Sequence, residues 1–512
     1  MQRDTQPTYG NALYEELFGI HAGKAATFVE TPDGVVISYS RFLSRASTLA
    51  HALTRLGLKP GDRVAVQLDK SVEMLALYAA CVQAGFVFLP LNTAYTATEL
   101  SYFLENSGAR VFLTPSRVEE AKLDAAIKLG TEHCTLDADG TGTLGELARG
   151  QSSHFETVPR GPDDLAAILY TSGTTGRSKG AMLSQQNLLS NARTLVDAWR
   201  FTSGDRLLHA LPIFHTHGLF VGTNVTLLAG GSMLFLPRFD LDSMIAMLPR
   251  STVMMGVPTY YTRLLADDRF TAALVEDMRL FISGSAPLLS ETHEAFATRT
   301  GHRILERYGM TETNMTCSNP YEGERRAGTV GPPLPGIEVR VRDAAGKPLA
   351  TDEIGVLEVR GPNVFKGYWQ MPEKTAEEMR DDGFFITGDL ASISGDGYVT
   401  IVGRSRDLVI SGGFNVYPKE VEVLLDRLDG VVESAVIGVP HPDLGEAVVA
   451  VIATGHAVAP DPNHLSEALA DQLAAFKKPK HYAFVEELPR NTMGKVQKAA
   501  LRAQFDGLFS EP

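Results

Sequence analysis

The segment Leu165-Ala-Ala-Ile-Leu-Tyr-Thr-Ser-Gly-Thr-Thr-Gly-Arg-Ser-Lys-Gly180 joins an apolar strand to a loop of glycines and hydroxyls. Gly173 and Gly176 permit left-handed backbone and close approach to a ligand. Thr171, Ser172, Thr174 and Thr175, with the exposed amides between them, form a donor-rich cradle for phosphate oxygens. Lys179 can neutralise part of a triphosphate's charge. A P-loop needs Ser or Thr directly after its lysine, and Gly180 stands there instead.

Outward from this segment, apolar runs alternate with amphipathic stretches. Phe42 to Leu56 predicts a helix stopped by Gly57, followed by a turn at Pro60-Gly61 and the strand RVAVQL. A helix over 71–84 stops at Gly85 before FVFLPL, and one near 97–106 precedes Gly108 and RVFLT. The pattern recurs through DLAAILYTS, RLLHALP, GSMLFLP, VMMGVP and RLFISGS, each expected to lead into a helix. Such alternation predicts βαβ units and a doubly wound α/β fold. From about residue 328 to 403 the strands are short and punctuated by Gly and Pro, which predicts a β-rich subdomain. A boundary is placed at Arg404 to Asp407. It divides an N-terminal core, 1–403, from a small mobile α+β domain, 404–512. The stretch LVISGGFNVYPKEVEVLLDRLDGVVESAVIGVP there reads strand, glycine turn, helix, strand.

The 512 residues carry a formal charge of −14, which leaves no basic excess for nucleic acid. An anionic substrate therefore needs a locally placed cation. Cys81, Cys134 and Cys317 are too scattered for a disulfide framework or a zinc site. No run of eighteen apolar residues and no leader-like N-terminus is present, so a cytoplasmic protein without membrane association is expected. A monomer and a homodimer both fit.

Six further motifs follow in order: Gly284-Ser-Ala-Pro287, Tyr308-Gly-Met-Thr-Glu312, Thr387-Gly-Asp389, Gly403-Arg-Ser-Arg-Asp407, Gly412-Gly-Phe-Asn-Val-Tyr-Pro418 and Pro489-Arg-Asn-Thr-Met-Gly-Lys495. With the loop, they closely resemble the adenylate-forming (ANL) superfamily of acyl-CoA synthetases across roughly residues 165 to 498. The resemblance implies ATP, Mg2+ and coenzyme A as reactants, with an acyl-adenylate between two half-reactions. It assigns phosphate contacts to Thr171 through Gly176 and Lys179, and the adenine side to Gly284, Ser285, Ala286 and Pro287. Glu306 and Arg307 flank the nucleotide, Tyr308 stacks on adenine, and Thr311 meets the α-phosphate. Glu312 is the expected Mg2+ ligand, since hard cations prefer carboxylate oxygen. Asp389 takes the ribose hydroxyls beside Arg404.

Lys495 is the expected catalytic ammonium, offsetting the repulsion between substrate carboxylate and α-phosphate. Such a lysine is also an acetylation target in the family, and acetylation would remove its charge. Arg406 matches the family's hinge position, where a Lys or Asp is more usual. Rotation there would withdraw Lys495 and bring Gly412, Gly413 and Phe414 to a tunnel for the CoA thiol.

The runs around Phe214-His-Thr-His-Gly-Leu219, Val257-Pro-Thr-Tyr-Tyr-Thr-Arg263 and Ser283 resemble malonyl-CoA synthetases. The resemblance places the distal carboxylate of malonate or methylmalonate on Arg263 and Ser283. A buried guanidinium there would demand an anionic partner. His215 would contact the reacting carboxylate, and Gly309 and Met310 would bound the pocket. Two alternatives share these motifs: a short- or medium-chain monocarboxylate:CoA ligase, and a stand-alone adenylation domain loading a carrier protein. A nucleotide-binding protein without catalysis would lack one of Glu312, Asp389 and Lys495, and all three are present.

Overall fold

Helix ends fall where capping side chains and glycines stand. Ser38 accepts the Arg41 amide and opens the helix Tyr39–Arg55, whose buried face carries Phe42, Leu49 and Leu53. Ser71 opens Val72–Ala84, and Gly85 closes it at φ 73, a conformation costly for any side chain with a Cβ. In the computed structural model these elements build four sheets. It describes residues 10–171, 178–343, 345–411, 414–456, 458–470, 472–473, 475–491 and 494–509.

A six-stranded sheet runs Glu132–Thr135, Val111–Thr114, Arg63–Val66, Val87–Pro90, Leu165–Thr171, Lys179–Ser184. An eight-stranded sheet runs Asn314–Ser318, Leu305–Met310, Leu280–Ser283, Val253–Gly256, Arg206–His209, Ser232–Phe235, Thr27–Glu30, Val36–Ser38. Both are parallel in their centres, as the βαβ pattern requires. The helix Val72–Ala84 is buried from Met74 to its end, in one core with Phe88 and Ala166 of the first sheet and Leu207, Val253 and Ile282 of the second. That core welds the two sheets into one body.

One expectation fails. Leu165–Thr171 is followed not by a helix but by Lys179–Ser184, which returns antiparallel with Thr171 opposite Lys179. The outer edge of that returning strand then takes backbone bonds from 366–369: Lys366 N to Met182 O, 2.9 Å, and Trp369 N to Gly180 O, 2.8 Å. An antiparallel edge strand gives the β-rich region a place to dock, which a helix could not.

That region forms a four-stranded antiparallel sheet, Glu338–Arg342, Gly355–Arg360, Phe385–Ile393, Val399–Arg404. The last unit is a sheet of Phe414–Val416, Val409–Ser411, Gly445–Ala453 and Glu433–His441, with His481–Val485 beside Gly445–Ala453. Phe414–Val416 is a short strand where a glycine turn alone is expected. Helices Pro418–Leu425 and Pro462–Ala468 cover one face of this sheet and Lys498–Phe505 the other. The architecture is thus the expected one: doubly wound sheets, a β-rich subdomain and a small α+β unit. Among the described residues no helix is long and apolar enough to cross a membrane. The three cysteines are free and buried.

Asn187 ties the β-rich region to the core: its amide donates to Pro362 O at 2.8 Å and Val364 O at 2.7 Å. The neighbouring Asn363 donates to Thr313 O at 2.5 Å, and Phe365 N to Glu312 O at 2.8 Å, so the clamp reaches the turn that carries Glu312. Replacing Asn187 by Ala strands two buried carbonyls. We expect a loss of about 2 kcal/mol of stability, seen as a lower thermal unfolding midpoint.

Candidate active site

The carboxyl ends of Val253–Gly256, Leu280–Ser283 and Leu305–Met310 converge on one crevice, the usual ligand position in an open parallel sheet. Local backbone is unusual there. Ser285 has φ 72, a strained value for a residue with a side chain, and its hydroxyl lies 3.1 Å from His217 Nδ1. Gly309 passes so close to the next strand that a Cβ would sit 2.0 Å from Asn314 O; only glycine fits.

The expected nucleotide contacts fall into two groups. At one end, Asp389 is buried, and both its oxygens are engaged. Arg404 Nε meets Oδ1 at 2.7 Å, across the strand register that sets the two residues opposite, and the Tyr308 hydroxyl donates to Oδ2. Tyr308 is therefore oriented by Asp389. Gly284 lies flat against Arg307, where a Cβ would meet the guanidinium carbon at 2.4 Å. Ala286 is half-buried and Pro287 exposed. Glu306 is buried 3.8 Å from His293, and burial pushes its carboxyl up.

At the phosphate end, Thr171 Oγ1 donates to Lys179 O at 3.5 Å. Ser172, Gly173, Thr174, Thr175 and Gly176 lie outside the described residues, as do Gly412 and Gly413. The Lys179 ammonium meets Glu378 at 2.9 Å and lies 4.0 Å above the Tyr368 ring. Thr311 is half-buried beside Glu312. Glu312 is buried; its Oε1 is 3.1 Å from the Tyr368 hydroxyl, and burial pushes its carboxyl up. No group of three or more potential metal ligands occurs among the described residues. A single buried carboxylate fits Mg2+, which is commonly held by one or two carboxylates plus substrate phosphates and water.

The acyl side is rich in unpartnered polar atoms. His215 Nε2, Thr216 Oγ1, His217 Nε2, Ser283 Oγ and Arg307 Nε and Nη2 are buried and without a hydrogen-bond partner among the described residues. Burial pushes the Arg307 guanidinium down to about 9. Burial likewise holds His215 at about 3, with Lys495 adding to it, and holds His217 well below the imidazole range, with Arg307 adding to it. Behind them His209 is held low by burial and by Lys70, whose ammonium lies 3.0 Å from Nδ1. Neutral imidazoles and one unpaired guanidinium define the pocket electrostatically.

Arg263 stands apart from this cluster. It is exposed in the last turn of Pro258–Leu265, 5.7 Å from the Phe239 ring, while Tyr260, Tyr261 and Leu264 take the buried face. The desolvation argument attached to Arg263 therefore does not hold, and it belongs to Arg307. Met310 is half-buried at the end of the same strand.

Lys495 comes from the other side. Asn491 N donates to Lys495 O at 2.9 Å, and Gly494 lies against Thr259 of the helix Pro258–Leu265. Lys495 is exposed at its surface, yet enough protein lies around it for desolvation to act on the ammonium. Burial pulls its ammonium below the usual lysine range and Arg404 adds to this, while Asp389 and Glu312 oppose. One ammonium is thus in electrostatic reach of both ends of the crevice. Arg406 is exposed in the turn Ser405–Asp407, and the next residue, Asp407, pairs with Arg502 at 2.6 Å. Phe414 is 57% exposed and stacks on Phe476 at 4.7 Å, on the small unit rather than in the crevice. Sequence reasoning missed Tyr368 and Glu378, which lie in a stretch with no chemical motif.

The AMP-binding enzyme family model matches residues 20–369, and the AMP-binding enzyme C-terminal domain model matches 420–495. A feruloyl-CoA synthase from an Amycolatopsis species is 36% identical over 92% of this chain and 94% of its own. A malonate–CoA ligase from Arabidopsis thaliana is 35% identical, covering 88% and 79%. The crystal structure of ATP-bound MatB from Rhodopseudomonas palustris is 55% identical and covers 98% of this chain and all of its own, with a TM-score of 0.96. Apo MatB from the same organism superposes at a TM-score of 0.84.

The histidines give a stability test. His215 binds a proton at pH 6.5 in the unfolded chain but only near 3 when folded, so acid favours the unfolded chain in that window. Thermal stability should fall as pH drops from 6.5 towards 3, and His215→Asn should flatten part of that slope in pH-resolved melting curves.

Proposed function

The chain belongs to the AMP-binding enzyme family and is an acyl-CoA ligase, and we propose that the acid it activates is malonate, with methylmalonate as a second substrate. The observation that carries this reading is Arg307, a buried guanidinium with two nitrogens unpaired, lying against Gly284 at the end of the neighbouring strand. An uncompensated buried charge costs several kcal/mol, and a carboxylate cancels that cost in bidentate form. A monocarboxylic acid would leave the cost in place. The neutral histidines around Arg307 supply no anion either. Among the curated relatives similarity does not choose the acid, since those named for feruloyl and malonate are 36% and 35% identical.

In the first half-reaction an oxygen of the proximal carboxylate attacks the α-phosphorus of ATP, and pyrophosphate leaves. Mg2+ on Glu312 would neutralise phosphate charge. Lys179 meets the triphosphate, Asp389 and Arg404 the ribose, and His215 the reacting carboxylate. Lys495 draws the two anions together and offsets the charge that develops between them. In the second half-reaction the CoA sulfur attacks the acyl carbon and AMP leaves. That step needs Lys495 to withdraw, which rotation about Arg406 accomplishes; Phe414 would then approach the crevice. Arg263, exposed, gives no reason of its own for an anion.

Pyrophosphate release should be far faster with malonate than with butyrate. Arg307→Met should lower kcat/KM for malonate by about 100-fold or more, the scale of a lost buried charge pair, whereas Arg263→Ala should cost less than tenfold. The reverse ranking would return the distal carboxylate to Arg263. Adenylation needs the charged form of Lys495. Its alkaline limb should therefore lie below that of an ordinary lysine, and Lys495→Arg should move the limb upward in a pH–rate profile.

A further inference from the structure

The helix Pro372–Glu378 lies in the β-rich region, yet its last residue reaches the phosphate end of the crevice. Glu378 has three partners there: Lys179 at 2.9 Å, the Tyr368 hydroxyl at 2.6 Å and Lys374 at 3.2 Å. Tyr368 in turn touches Glu312 at 3.1 Å. The Lys179 side chain is only 10% accessible, so its ammonium would be costly to leave without an anion, and Glu378 is the only ion-pair partner recorded for it among the described residues.

We propose that Glu378 is the resident counter-ion of Lys179, exchanged for the triphosphate when ATP binds and restored when pyrophosphate leaves. The proposal rests on the assignment of Lys179 to the ATP phosphates. One ammonium cannot serve a carboxylate and a polyphosphate equally, so the resident pair lowers nucleotide affinity by what it costs to break. Breaking it is tolerable because Glu378 is not stranded: Lys374 and Tyr368 remain, and its side chain keeps 20% access to solvent. The same pair offers Lys179 an anion as pyrophosphate departs, which favours emptying the site before CoA arrives. Glu378 acts here through Lys179 and is a positioning residue. Tyr368, bridging Glu378 and Glu312, holds the two carboxylates at a set separation.

The test is calorimetric titration of the full chain with MgATP and, separately, with AMP, in the absence of acid substrate. Glu378→Gln should bind MgATP about three- to tenfold tighter, the range of a single partly buried ion pair, with AMP affinity unchanged. Lys374→Met, which leaves Glu378 more fully to Lys179, should shift MgATP affinity the other way by a similar factor. It carries the test alone should the Gln variant not fold. Lys179→Ala should weaken MgATP binding and abolish the gain from Glu378→Gln in the double variant. Unchanged or weaker MgATP binding in Glu378→Gln, equal tightening of AMP, or a gain that persists without Lys179 would each overturn the exchange. A Lys179→Ala variant with full MgATP affinity would overturn the assignment beneath it as well.

Discussion

A guanidinium sealed in protein without an anion is the constraint on which this molecule turns. Arg307 is buried within the strand Leu305–Met310, and burial pulls it down to about 9. The fold surrounds it with groups that cannot compensate: His217 and His215 are held neutral by burial, and Tyr261 donates its hydroxyl to Ile282 O. Gly284 lets the guanidinium lie against the loop backbone, a position any larger residue would close. Native proteins seldom tolerate such a charge without a ligand to meet it.

Everything else places a second anion near the first. Asp389, Arg404 and Tyr308 form one hydrogen-bonded unit across two sheets, so the ribose end is set by strand register and not by loop conformation. The segment 365–369 binds both Glu312 and the strand that carries Lys179, which ties these two residues to one backbone stretch. Lys495 arrives on the small C-terminal unit, and its ammonium is depressed first by burial, with Arg404 adding to it. The two-step reaction we propose would need this division: fixed seats for the anions, and one movable charge between them.

Much of this was legible in the sequence, and the failures have physical causes. Alternating apolar and amphipathic runs fix strand and helix order, and glycines at 57, 85 and 108 mark helix ends because φ is positive there. The antiparallel return at Lys179–Ser184 escapes such reasoning, since a glycine-rich loop is compatible with either a helix or a hairpin after it. Arg263 and Arg307 are alike in composition and differ in which way their backbone turns them: one on the open face of a short helix, one in the buried first half of a strand. Glu378 meets Lys179 across 199 residues of chain, a pairing no local pattern encodes.

The central claim, that a distal negative charge is what the acyl pocket recognises, is tested most directly by comparing malonate with its monomethyl ester in pyrophosphate release. The two share a skeleton and a reactive carboxylate, and differ in the charge that Arg307 would meet. We expect kcat/KM for the ester to be lower by roughly 10⁴-fold, as for a site whose buried polar groups are left unpaired. Turnover of the ester within tenfold of malonate would contradict the account.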